Sequence, residues 1–307
     1  MNIQHSLLSL YPRPWRERYE DEVLVMLEQH PLSFTDGVNL FFGALDAQLH
    51  PHLGTTGMPL YERLVHMFSA LRRSLLAIFC AYVSFILAGL AFQKMTEYAD
   101  FQEAAQAHTV IGLSFHLVVL GAIVALLAML AGGLPIVVAV ARSALIHKRP
   151  GSLFLLTVPI LAFAVFLGTT VLLNAIDRPG TLPVWQLLLY RGFFFGMLIA
   201  AAIVSAGSVC FAVARSEVPA RLLRFAVLPS VLATLSMVLI LAATITWGLG
   251  LRDGAPQLFA GNAGIVGTST IGTWLGIVIA MAVATLLAVL ALLRALSARA
   301  ALRTATA

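Results

Sequence analysis

The sequence predicts an all-α protein, with a small N-terminal cytosolic helical domain followed by a six-helix transmembrane bundle. Three observations predict it. Hydrophobic residues make up 60% of the 307 positions and charged ones only 11%, against roughly 25% charged in soluble domains. That is more apolar surface than a soluble fold can hide. Six apolar stretches approach or exceed the roughly 20 residues a spanning helix needs. The charge is also divided along the chain. Residues 1–66 carry eight carboxylates against four arginines, whereas residues 67–307 carry six carboxylates against fifteen Lys and Arg. An acidic head thus precedes a basic membrane body. The basic excess points to topology and anionic headgroups rather than to nucleic acid.

The head, residues 1–52, comes first. Ile3, Leu7, Leu8 and Leu10 form a short apolar-rich segment. Pro14 stands where a first helical residue tolerates a missing N–H. Trp15, Tyr19, Val23, Met26 and Leu27 then recur at helical spacing and predict one apolar face. Glu17, Glu20, Asp21 and Glu28 populate the other faces, and Arg16–Glu20 and Arg18–Glu22 are i,i+4 pairs. Pro31 stops this helix. Ser33 is a candidate N-cap for the next, with Asp36 in the reciprocal capping position. Val38, Phe41, Phe42, Leu45 and Leu49 form its stripe, and Pro51 ends it. These pieces are too apolar to stay wet and too short to span, so they are expected to pack together.

Residues 53–73 read as a linker and a juxtamembrane amphipathic helix. His50–Pro59 is broken by Pro51, Gly54, Gly57 and Pro59. Beyond it, Leu64, Val65, Phe68 and Leu71 share one side, with Arg63, Arg72 and Arg73 available to phosphates. This is either an interfacial helix or the cytoplasmic extension of span one.

The transmembrane domain is expected over residues 74–294, with a basic cytoplasmic tail at 295–307. Spans are placed near Ser74–Met95, within Thr109–Ala141, and near Ser152–Ala175, Gly192–Ala214, Phe225–Gly250 and Thr273–Leu293. The second stretch is too long for one perpendicular crossing, and Gly132–Pro135, "GGLP", predicts a kink or break near its lipid end. Orientation follows from the short loops. Twelve cations (Arg63, Arg72, Arg73, Arg142, Lys148, Arg149, Arg215, Arg221, Arg224, Arg294, Arg299 and Arg303) fall on one side. Lys94, Arg178, Arg191 and Arg252 fall on the other. Both termini are therefore expected in the cytoplasm, with Glu97, Asp100 and Glu103 in an acidic outer loop. The N-terminus does not read as a secretory signal, because its apolar run is short and no basic residue precedes it.

No catalytic constellation is visible. The chain has no GxxxxGK[ST], HExxH or GxSxG motif. Spans two to six hold no interior Asp or Glu, which argues against a proton-coupled transporter. No enzyme activity, cofactor or metal is expected. Cys80 and Cys210 both fall in apolar runs and read as small buried side chains. His116, inside span two, is the candidate intramembrane polar site, with a hydrogen-bonded packing histidine as its alternative. Asn174, Asp177, Arg178 and Arg191 read as interfacial anchors. His50 and His52 alone make a weak metal site. Gly192–Gly196 and Gly272–Gly276 are small-xxx-small patterns expected to pack within the bundle. Leu251–Gly272 reads as a flexible connection rather than a lid.

The run "LYPRPWRERYEDEVLVMLE" with "LSFTDGVNLFFGALDAQLHP" resembles the HAAS-type signalling domains and the related permease prefix domains. The resemblance covers roughly residues 6–51. It rests on Tyr11-Pro12, Trp15-Arg16, Arg18-Tyr19 and Asp21-Glu22, with Asp36, Gly43-Ala44 and Leu45-Asp46 downstream. Such domains are short cytosolic helical modules ahead of membrane helices. HAAS-type proteins are often encoded beside PadR-type regulators, and permease prefix domains precede subunits of ABC-type exporters. With the six apolar stretches, which make the chain multi-pass, the expected location is a bacterial inner membrane. The resemblance implies a protein partner bound through residues 1–52, with Tyr11, Trp15, Arg16, Arg18, Tyr19, Asp21 and Glu22 forming the head's packing and surface. The alternative is a permease driven by a separate ATPase subunit. Beyond these, the partner is the lipid bilayer, and no direct nucleic-acid binding is expected. The chain lacks the large extracytoplasmic domain of some exporter permeases.

Overall fold

The computed structural model describes residues 8–29, 34–49, 60–148, 150–176, 184–216, 218–262, 264–265 and 268–306. Among these every regular element is a helix. The chain divides into two compact units, Met1–Leu75 with Val289–Ala307, and Leu76–Ala288.

In the first unit, α1 runs Arg13–Gln29 and α2 runs Phe34–Leu49. Leu8, Tyr11, Ala44 and Ala47 are buried together, with Trp15, Val23, Leu24 and Leu27 packed against them. Tyr11 stacks on Trp15 at 3.9 Å between ring centroids. Its hydroxyl donates to the Leu40 carbonyl at 3.0 Å. Gly43 makes that reach feasible, since a Cβ there would stand 2.6 Å from the Tyr11 oxygen. Gln48 Nε2 donates to the Leu10 carbonyl at 3.0 Å, tying the entry segment to α2.

The packed face of α1 differs from the expected stripe. Met26 is 63% exposed and Val25 is 54% exposed, while Leu24 joins the core. At about 100° per residue, Val23, Leu27 and Leu24 span about 100°, and Met26 lies about 60° beyond Val23, toward the side on which Trp15 packs earlier in the helix. On α2, the side chains of Val38, Phe41, Phe42 and Leu45 lie outside the described set.

The C-terminal turn of α2 is closed from a distant part of the chain. Its last carbonyls have no partner within their own helix. Ser297 Oγ donates to the Leu49 carbonyl at 2.6 Å, and Arg294 Nη1 donates to Gln48 Oε1 at 3.3 Å. A guanidinium at a helix C-terminus also complements its partial negative charge. Ser297→Ala is expected to destabilise the first unit by about 1 kcal/mol, the worth of one hydrogen bond. Faster amide hydrogen exchange over 34–49 would report it, and unchanged exchange there would refute it.

The remaining helices are α3 (Leu60–Thr96), α4 (Ala99–Ala107), α5 (Thr109–Ile146), α6 (Pro150–Ile176), α7 (Val184–Arg215), α8 (Ala220–Gly254), α9 (Pro256–Ala260) and α10 (Thr270–Thr306). Six of them contain a stretch long and apolar enough to cross a membrane: Leu64–Thr96, Thr109–Ile146, Pro150–Leu172, Gly192–Arg215, Ala220–Gly254 and Thr270–Leu302. The chain is thus a multi-pass, all-helical membrane protein. The juxtamembrane segment from Leu60 is continuous with span one in α3, so it is an extension and not a separate helix. The last helix likewise continues through the expected tail to Thr306.

Of the kink or break expected at Gly132–Pro135, a break does not occur. Helix α5 runs on for 38 residues, about 57 Å by its rise, with Pro135 inside it. Gly132 instead serves close packing. A Cβ there would stand 3.1 Å from Pro229 Cβ of α8. Membrane helices tolerate an internal proline where neighbours and local adjustments satisfy the freed carbonyl.

The core of the second unit is built from α3, α4, α5, α8 and α10. In α8, 44% of the most apolar stretch is buried, against 0% in α6 and 11% in α7. Helices α6 and α7 therefore form a peripheral hairpin, joined by contacts such as Phe166–Phe194 at 5.1 Å. A smaller cluster around Val140, Ala212 and Val213 holds this hairpin, with Leu76, Leu155 and Leu156 against it.

Candidate interaction surface

The residues expected to carry the head's function fall into two sets. Tyr11 is buried, and Trp15, Arg16 and Tyr19 are half-buried. The Arg16 Nε is buried without a hydrogen-bond partner. Trp15 and Tyr19 continue the aromatic ladder from Tyr11, with centroids 5.4 Å apart. This set holds the head together. Asp21 and Glu22 are exposed, and the Arg18 side chain lies outside the described set.

The exposed pair has neighbours that the expected stripe missed. Asp21, Glu22, Val25 and Met26 lie at i, i+1, i+4 and i+5, within about 140° of the helix circumference. All four are exposed. The outcome is a surface of two carboxylates beside two apolar side chains.

Burial of Tyr11 raises the pKa of its phenol above the ordinary value of 10.0. The folded head therefore favours the neutral phenol. The stability gained from this is fully present below the unfolded-state value and is lost as pH rises through the folded one. Tyr11 should ionise later than an ordinary tyrosine. The alkaline absorbance difference between wild type and Tyr11→Phe, read near 295 nm, should have its midpoint above pH 10; a midpoint at or below it would refute the burial.

Other candidate residues are placed as follows. His116 is exposed on α5, and its Nδ1 lies 2.6 Å from the Gly112 carbonyl of the same helix. The bond ties the imidazole to its own backbone. Among the described residues no group of three or more His, Cys, Asp or Glu could hold a metal. His50, His52, Asp177 and Arg178 lie outside the described residues, as do the side chains of Asn174 and Arg191.

The acidic loop after span one is folded. It forms α4, with Phe101 and Ala104 buried and Asp100, Gln102 and Glu103 exposed. The described part of the Leu251–Gly272 segment, expected as a flexible connection, carries a short helix and packs on the core. Leu251 is fully buried, Leu258 and Phe259 pack on the core, and Thr270 N donates to the Gly261 carbonyl at 3.0 Å. Apolar side chains explain the difference: Phe259 packs on Trp274, and Ala255, Leu258 and Ile265 lie against the core.

Among the described residues, the expected small-residue motifs do not pack at Gly192, Gly196 or Gly276, where a Cβ would meet nothing within 4 Å. Close approach occurs instead at Gly121, where a Cβ would stand 2.7 Å from Ile240, at Gly254 against His108 at 2.9 Å, and at Gly248 against the Trp274 indole.

No family model, curated protein or solved structure matches the chain.

Proposed function

We propose that this is a non-enzymatic integral membrane protein whose N-terminal helical head binds a protein partner in a signalling or regulatory role. In this reading it sits in a bacterial inner membrane with both termini in the cytoplasm. The twelve-to-four division of cations between alternate loops supports that orientation. The observation that carries the reading is the exposed face of α1. Val25 and Met26 are exposed beside Asp21 and Glu22 while other residues of the helix are already packed. Apolar side chains left exposed and rimmed by charge are typical of a contact surface.

The test is a Val25→Asp/Met26→Asp double substitution, compared with deletion of residues 1–52. Both should abolish partner capture in crosslinking from native membranes while leaving membrane insertion intact. Each apolar anchor contributes about 1–2 kcal/mol in a typical interface, so the double substitution should weaken binding by about a hundredfold. A crosslinking profile identical to wild type would overturn the proposal.

A second reading, a permease subunit driven by a separate ATPase, is supported by the six long apolar helices. Co-purification of a Walker-motif subunit would favour it. Absence of ATP-dependent export from vesicles holding both subunits would count against it.

A further inference from the structure

The two cysteines of the chain meet. Cys80 on α3 and Cys210 on α7 are 130 residues apart in sequence, yet their sulfurs lie 3.4 Å from one another. Both are free thiols. With only two cysteines in 307 residues, their meeting on separate helices is a specific juxtaposition.

Their depth agrees from two independent markers. Cys80 follows Arg73 by seven residues, and Cys210 precedes Arg215 by five. At 1.5 Å per residue these are about 10 Å and 8 Å below the basic rim. Both thiols thus sit inside the apolar layer, nearer the basic side. The Val140, Ala212 and Val213 cluster with Leu76 and Val209 surrounds that level with apolar side chains. Cys80 is exposed on the apolar flank, so a lipid-dissolved molecule can reach it.

We propose that Cys80 and Cys210 form a reversible intramolecular disulfide whose oxidant is a membrane-soluble quinone. A disulfide needs its sulfurs at about 2.05 Å, so side-chain rotation must close about 1.4 Å. Two S–H bonds break and one S–S bond forms. The two electrons and two protons pass to the quinone, which leaves as the quinol. Dithiol, disulfide, quinone and quinol are all neutral, so reactants and products place no net charge in the apolar layer. An aqueous charged oxidant such as glutathione disulfide would have to enter that layer. The bond would join α3 of the core to α7 of the peripheral hairpin, fixing a hairpin that is otherwise held by few buried side chains.

The test uses the full-length wild-type protein in lipid nanodiscs. It is reduced, then exposed to molar excess of a decyl-chain benzoquinone or of glutathione disulfide. Free thiols are counted by maleimide labelling after unfolding, and the intact mass is measured. With the quinone, both thiols should disappear together from a monomeric species, with loss of two hydrogens, and return on reduction. Cys80→Ser and Cys210→Ser should each keep their remaining thiol under the same treatment. Retention of both thiols in the wild type, their loss only in a crosslinked dimer or as a quinone adduct, or equal oxidation by glutathione disulfide would each overturn the proposal.

Discussion

Replacing Gly248 with alanine should destabilise the membrane unit by about 2–4 kcal/mol, the cost of overpacking plus that of an impaired hydrogen bond. A Cβ at this position would collide with the Trp274 ring. The indole cannot swing aside without loss. Its Nε1 donates to the Thr244 carbonyl at 3.0 Å, joining α10 to α8, and Phe259 packs on its other side at 5.8 Å between centroids. Thr244 is itself held, donating to the Ile240 carbonyl at 2.8 Å. Moving the ring therefore disturbs three helices. Unfolding in mixed micelles with a denaturing detergent measures the loss. In a Trp274→Ala background the same substitution should be nearly neutral, because its collision partner is gone, and this double-mutant cycle isolates the contact. Gly192→Ala and Gly276→Ala meet open space and should be neutral or slightly stabilising through helix propensity. Equal effects at Gly248 and Gly276 would refute the packing.

The same contrast marks how far the sequence could be read. Gly192–Gly196 and Gly272–Gly276 matched a packing motif, yet those tested at Gly192, Gly196 and Gly276 face open space. Gly248, outside those two patterns but spaced four residues from Thr244, carries the tightest approach in the core. Motif spacing reports that two small residues share a helix face. It does not report which face meets a neighbour, because lipid is as apolar as leucine and leaves no polarity contrast to read.

Where water is one of the partners, the sequence was more legible. The six apolar stretches were placed close to their observed helices. Of the entry segment expected to pack, Leu8 is buried and Leu10 is 42% exposed, while Ile3 and Leu7 lie outside the described residues. Errors arose where a single periodicity admitted two solutions. Met26 and Leu24 each lie about 60° outside the arc of Val23 and Leu27, and only Leu24 packs on the core. The helix continues unbroken past Gly132–Pro135 for a related reason. A glycine before a proline signals weakness in an isolated helix, whereas here the bare glycine receives the Pro229 ring of α8. The Cys80–Cys210 meeting was not legible at all, since two residues 130 positions apart leave no local pattern.

Trp247→Ala should carry a loss of about 3–5 kcal/mol, the usual range for removing a buried tryptophan. Trp247 is 1% exposed. Phe92 of α3 meets it edge-on at 5.0 Å between centroids, and Phe101 of α4 lies against it at 5.7 Å. These contacts are the means by which α4 is held. That helix is nine residues long, too short to be stable alone, and its outward face is polar. Its anchor is Phe101, so emptying the Trp247 site should free α4 before it unfolds the spans. Hydrogen exchange over Ala99–Ala107 should accelerate more than exchange in the buried middle of α8. Trp247→Phe should recover part of the loss, because a smaller ring still offers an edge to Phe92. Uniform acceleration across the core, with no preference for α4, would mean that Trp247 supports the bundle as a whole and not its short connecting helix.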